Sequence, residues 1–236
     1  MPDYVKKALI QFNHTKPAKG QDAPSKYTPP NYGAKKQYAQ EPTPSPLLSK
    51  EGKRFIQLVC GKFLYYGRAV DSTVLHAISA IASQQAAPTE ETMEHTTQLL
   101  DYLATQEEAV ITYSASDMIL AVHSDAGYLN EPNARSRAGG HFFLSNNTDI
   151  PPNNGVVLNI SHIIKYVMSS ATEAELAALY ITARKAVYIR IILDEMGHKQ
   201  PPTPVQTDNS MAEGVINKRI KPESIFAKLG RSFLGL

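Results

Sequence analysis

Three acidic residues stand where chemistry is possible: Asp125, Glu175 and Asp208. Asp125 follows the strongest apolar, β-prone run of the chain, Met118–His123, and comes just before Gly127. Glu175 falls about one turn into a long helical pattern, and Asp208 follows the short β-prone run Pro204-Val205-Gln206-Thr207. Open α/β sheets bind ligands beyond the C-terminal ends of their strands, so Asp125 and Asp208 occupy positions where a site is expected. If their strands are neighbours, the two carboxylates lie side by side, and a helix crossing the sheet can supply Glu175 as the third. Hard oxygen ligands without His or Cys suit Mg²⁺ or Mn²⁺ rather than zinc. Two such ions about 3.5–4 Å apart can activate a water and stabilise the leaving oxygen of a phosphodiester.

Each acid also has a local role open to it. Asp208 can cap the helix that follows, a job for which Asn209 and Ser210 compete, and Asp125 can stabilise a turn at Gly127. Thr172-Glu173-Ala174-Glu175 reads as a capping box, which would tie Glu175 to its own helix end. Ser170-Ala171-Thr172-Glu173 is a capping box one register earlier, so Glu173 can take that role and leave Glu175 to face the sheet.

The elements that must position these groups are legible from periodicity. Ala109–Tyr113 is β-prone, Ser114–Asp117 reads as a turn, and strands are expected over Met118–His123, Ala138–Ser145 and Gly155–Ile164. A polar connection, Asn130–Arg137, separates the first two. A long helix from about Ala171 to Met196, ended by Gly197, precedes the fourth strand and a helix from Met211 to about Lys218. Three strands, a helix, a strand and a helix make a mixed α/β layer: a meander, then a crossover to the fourth strand. Ahead of it, residues 50–106 carry helical periodicity in three short runs. The first is marked by Phe55, Val59, Phe63 and Tyr66; the second is capped by Ser72 or Thr73, and the third by Thr89.

The net charge of +2 conceals a division: residues 1–54 hold ten Lys/Arg against four Asp/Glu, and residues 55–117 hold two against eight. The first block also contains eight of the sixteen prolines, so residues 1–49 are expected to be an extended, basic linker. Its lysines could follow a phosphate backbone, with Tyr4, Tyr27, Tyr32 and Tyr38 interleaved. One cysteine, Cys60, excludes an intrachain disulfide framework and a cysteine-rich zinc module. Neither an apolar leader nor a run of about 18 apolar residues occurs, so a protein that is not secreted and has no membrane partner is expected. His123 reads as structural, and His141, His162 and His198 lack metal-ligand spacing. Arg135 and Arg137, in the first hairpin connection, are either backbone contacts for nucleic acid or part of a solvated turn. Tyr65, Tyr66 and Cys60 read as packing residues.

Residues 50–218 resemble the C-terminal part of the Pol polyprotein of copia-type LTR retrotransposons, where the reverse transcriptase passes into a ribonuclease H domain. The resemblance is carried by Val59-Cys60-Gly61-Lys62-Phe63-Leu64-Tyr65-Tyr66, Arg68-Ala69-Val70-Asp71 and Gln98-Leu99-Leu100-Asp101-Tyr102-Leu103 in the helical part. In the α/β part it is carried by His123-Ser124-Asp125-Ala126-Gly127-Tyr128, Ser169-Ser170-Ala171-Thr172-Glu173-Ala174-Glu175-Leu176 and Gln206-Thr207-Asp208-Asn209-Ser210-Met211-Ala212. It implies a helical connection over 50–106, an incomplete ribonuclease H-like domain over 107–220 and a divergent tail over 221–236. It further implies Mg²⁺- or Mn²⁺-dependent hydrolysis of the RNA strand of RNA–DNA hybrids, with Asp125, Glu175 and Asp208 as metal ligands and catalytic acids. Asn209 and Ser210 would be weak phosphate or sugar contacts. The remainder of a Pol polyprotein is the implied protein partner, and the implied location is cytoplasmic or nuclear, in the element's virus-like particle.

The chain departs from that pattern twice. No Tyr-x-Asp-Asp string occurs, so no polymerase site is expected. The last sixteen residues, Lys221–Leu236, hold Glu223 as their sole acid, where the family continues to a fourth catalytic aspartate. Activity is therefore expected to be impaired, and the alternative is a non-catalytic remnant that binds nucleic acid through its basic N-terminal arm.

Overall fold

The computed structural model describes residues 1, 3–26, 44–106 and 108–217. Two compact units divide, in the main, between Thr112 and Tyr113. Six α-helices and four strands occur among the described residues. None of the helices is long and apolar enough to cross a membrane.

The first unit is helical. Helix α1 spans Tyr4–Gln11, α2 Lys50–Ala69, α3 Leu75–Gln84 and α4 Glu90–Thr105. Ser49 caps α2 by accepting from the Gly52 amide, Asp71 accepts from Thr73 at a 3₁₀ turn before α3, and Thr89 forms a capping box with Thr92 on α4. These caps satisfy donors that a helix start leaves open. The apolar stripes then close on one core of Val5, Ala8, Ile56, Val59, Phe63, Tyr66, Val74, Ile78, Leu99 and Leu100.

The N-terminal stretch corrects the expectation of an extended linker. Tyr4, Val5, Ala8, Leu9 and Phe12 follow helical spacing, and their burial offsets the poor composition around them. Tyr4 stacks on Tyr66 at 5.6 Å and donates its hydroxyl to the Lys62 carbonyl, so it does not serve as an exposed stacking platform. Past the helix, His14 meets Asp101 at 2.8 Å and Gln21 bonds Thr105, which lays this stretch along α4. Prolines do not prevent such docking, because their carbonyls still accept: Glu90 donates to Pro46 and Leu48 to Pro88. Tyr27, Tyr32 and Tyr38 lie outside the described residues.

The second unit is a mixed sheet covered by a long helix. Its strands are β1 (Ile119–Glu131), β2 (Arg135–Ser145), β3 (Val156–Ile163) and β4 (Val205–Gln206), in the order β3-β2-β1-β4. Helices α5 (Ala171–Glu195) and α6 (Ser210–Ile216) flank β4 in sequence. Strand β1 pairs antiparallel with β2 and parallel with β4, so the crossover through α5 places the first and fourth strands side by side as expected. Gly197, at φ 92°, stops α5: its amide donates to Asp194 and that of His198 to Leu193.

Two expectations change. Ala109–Tyr113 forms no strand; it straddles the division between the units, and Val110 and Tyr113 are exposed. Strand β1 does not stop at His123 but runs through Asp125 to Glu131, with a bulge beyond Gly127 and a tight turn at Pro132-Asn133-Ala134. The polar residues after Asp125 are held by the β2 ladder and by the Leu129 amide donating to Ser136.

Candidate metal centre

The parallel pairing of β1 with β4 ends at His123↔Gln206. Beyond that point no further ladder pair joins the two strands, and their C-terminal ends lead to Asp125 and Asp208. Asp125 lies on β1 two residues past the last pair, and Asp208 two residues past the last pair on β4. Glu175, in the first turns of α5, reaches the β1 backbone: its Oε1 accepts the Ala126 amide at 3.2 Å. One oxygen from each of Asp125, Glu175 and Asp208 lies within 4.8 Å of the others. Asp125 is thus a mid-strand residue rather than a strand-closing one, yet it joins the same cluster.

For Glu175 and Asp208 the local capping role is assigned elsewhere. Ser170 caps α5 by accepting from Glu173, and Glu173 reaches back to accept from the Ser169 amide and hydroxyl. The earlier of the two capping registers is the one used, which leaves Glu175 to the sheet. Asn209 caps α6 by accepting from Ala212 at 2.9 Å, which frees Asp208 from that role.

The electrostatics are those of a site lacking a counter-charge. Glu175 is 6% exposed, and its Oε2 has no hydrogen-bond partner. Burial raises its pKa above the ordinary value; the Asp125 charge adds to this and the Ala126 amide opposes it, while Asp208 adds a smaller push upward and Thr207 a smaller one downward. A buried carboxylate oxygen without a donor, facing two further carboxylates, is unfavourable unless a cation or protons complete it. An all-carboxylate donor set fits Mg²⁺ or Mn²⁺. The three residues therefore form a cluster that could hold a divalent metal ion.

The remaining sequence expectations divide. Arg137 is not in a solvated turn: it is 6% exposed on β2, and its Nε donates to Glu131 at 2.5 Å. A buried guanidinium paired in this way is not presented to a nucleic-acid backbone, which corrects its assignment as a contact. Arg135 and Ser210 are exposed, and Asn209 is committed to its cap. His123 packs edge-on to Phe143 at 5.0 Å, and burial with the neighbouring His141 lowers its pKa, in keeping with a structural role. Cys60 is buried in the helical core and its thiol is pushed up to about 11, far from a reactive thiolate. Tyr66 is buried and Tyr65 exposed. Glu223 and the rest of 221–236 lie outside the described residues.

Two positioning residues escaped the sequence reading. Arg190, on α5, donates to the carbonyls of Pro201 and Gln200 and to the Thr203 hydroxyl. Gln200 accepts from the Leu120 amide and donates to the Met118 carbonyl, both at 2.9 Å. Together they fasten the α5–β4 connection to the start of β1, which holds a strand of only two residues in its parallel place. An arginine in the apolar C-terminal half of α5, followed eleven residues later by a Pro-Pro connection, was the available signal.

A scan against protein-family models found none that matches the chain, and a search of curated proteins found no relative. The fold and the site by themselves define a mixed α/β unit carrying a three-carboxylate cluster at the mouth of two parallel strands.

Proposed function

We propose that the α/β unit is a metal-dependent phosphodiesterase centre of the ribonuclease H type, acting on the RNA strand of an RNA–DNA hybrid. The observation that carries this reading is the meeting of Asp125, Glu175 and Asp208, from three separate elements, around a buried and unpartnered Glu175 oxygen. The strand order and the crossover through α5 agree with it, and so do the strings around the three acids. Asp125, Glu175 and Asp208 would hold a divalent ion, which would supply Lewis acidity toward a phosphoryl oxygen and toward a water. The protein's part is to fix the donors. The Ala126 amide holds one Glu175 oxygen and leaves the other to the acid cluster, and the Arg190–Gln200 fastening keeps Asp208 beside β1. The hybrid as substrate and a longer Pol polyprotein as partner belong to the same proposal.

The full chain should cleave the RNA strand of a labelled hybrid with Mg²⁺ or Mn²⁺. Asp125→Asn should reduce this by more than about a hundredfold, since even groups that merely orient metal ligands are worth 10–100-fold. A folded chain that binds Mg²⁺ without cleaving the hybrid would reject the catalytic reading and leave a non-catalytic remnant.

A further inference from the structure

Helix α5 buries Ala174, Glu175, Ala178, Leu179, Thr182, Ala186 and Leu193. At 100° per residue these occupy one face of the helix. The outward side of its C-terminal half, from Val187 round to Ile192 at the border of the buried face, is apolar as well: Val187, Tyr188, Ile191 and Ile192 are 53%, 60%, 49% and 55% exposed. Four large apolar side chains in two successive turns form a contiguous patch, unlike a scatter of single exposed residues, and such patches mark interaction surfaces.

The order of residues in this patch selects its occupant. A two-fold axis beside α5, perpendicular to it and level with the midpoint between Ile189 and Arg190, brings Tyr188 of one copy to Ile191 of the other, Val187 to Ile192 and Arg184 to Glu195. Apolar residues then meet apolar residues, and the cation at one end of the patch meets the anion at the other. Arg184 and Glu195 are both exposed, and Arg184 lies over the Tyr180 ring at 5.6 Å, on the outward side. An isologous interface requires this self-complementarity, whereas an unrelated partner does not. We infer that the outward face of α5 is the interface of a homodimer, in which two copies pair their α5 helices antiparallel. The inference rests on this surface alone and is independent of the metal centre.

Sedimentation equilibrium or light scattering of the full chain over a concentration series tests it. A monomer–dimer equilibrium is expected, and Ile191→Asp should abolish the dimer while leaving circular dichroism and Mg²⁺ binding intact. Arg184→Glu and Glu195→Arg should each weaken the dimer by about tenfold, as two symmetric pairs turn repulsive, and the double reversal should restore it. A full chain that stays monomeric overturns the inference. So does a dimer indifferent to Ile191→Asp, or one that the double reversal fails to restore. A monomer that dimerises only when residues 218–236 are deleted would show that the chain's own tail takes the face, which overturns it too.

Discussion

The two units treat buried polarity in opposite ways. In the helical unit the buried polar residues among those described are Thr92 and Thr96, and both are bonded, to Gln84 at 2.9 Å and to the Thr92 carbonyl at 2.8 Å. Around them the core is apolar and closed, with Ile56, Val59, Phe63 and Ile78 fully buried. The α/β unit buries Glu131, Arg137, Ser124, Ser136, Ser145, Glu175 and Thr182, and leaves Ser124 Oγ and Glu175 Oε2 without partners. A unit that only has to fold satisfies its polar groups; one that tolerates an orphaned carboxylate oxygen between two further acids gives up stability for a site. The contrast sets a closed apolar core in the first unit against a candidate metal cluster in the second.

The contrast breaks most visibly if the helical core proves slack. Phe63→Ala should cost about 3–5 kcal/mol, the usual range for emptying a well-packed aromatic site. Denaturant unfolding followed by circular dichroism checks this, and a loss below about 1 kcal/mol would mean that the core is not closed there. In the α/β unit the corresponding fastening is polar. Arg190→Ala removes a charged donor from three acceptors, which should cost about 1.5–3 kcal/mol. It should also weaken Mg²⁺ binding, because β4 is then free to carry Asp208 away. Mg²⁺ affinity equal to that of the parent, measured by calorimetry, would deny Arg190 its positioning role.

Much of this architecture was legible in the sequence. Apolar, β-prone runs marked the strands that flank the site, Ser and Thr before apolar periodicity marked the helix starts at Ser170 and Thr89, and the three acids came together as expected. What escaped has physical reasons. A composition averaged over the first 54 residues hid the helical spacing of Tyr4, Val5, Ala8 and Phe12. The buried Arg137–Glu131 pair spans a turn at Pro132-Asn133, and isolated charges on either side of such a turn look like solvated ones until the strands are paired. Long-range fastening by Arg190 and Gln200 has no periodic signature at all.

The electrostatic side of the contrast can be tested by pH. Folding raises the Glu175 pKa above its ordinary value of 4.5, mainly through burial. The protonated group therefore favours the folded state fully below the ordinary value, and that advantage is lost as pH climbs through the raised one. In metal-free protein Glu175→Gln should raise the Tm at neutral pH, with the gain vanishing below the ordinary value. Divalent metal should invert the order. Mg²⁺ at about 100 times its Kd stabilises a binding-competent chain by about 2.7 kcal/mol, so the parent gains and Glu175→Gln does not. A variant that is less stable than the parent in EDTA at neutral pH would show that the carboxylate is satisfied by the protein itself.

The smallest effect is expected two residues earlier, and it sharpens the comparison within a single helix turn. Glu173 has the same side chain as Glu175 but accepts the Ser169 amide and hydroxyl at the start of α5, where the helix dipole favours its charge. Glu173→Gln keeps an oxygen for those donors and loses only the charge, a change of about 0.3–1 kcal/mol at an exposed helix start. Mg²⁺ affinity and hybrid cleavage should stay at parental values, since Glu173 contributes no oxygen to the cluster. Thermal unfolding beside Mg²⁺ titration separates the two glutamates. If Glu173→Gln depresses metal binding as strongly as Glu175→Gln, the capping register is the other one, and Glu173 rather than Glu175 belongs to the cluster.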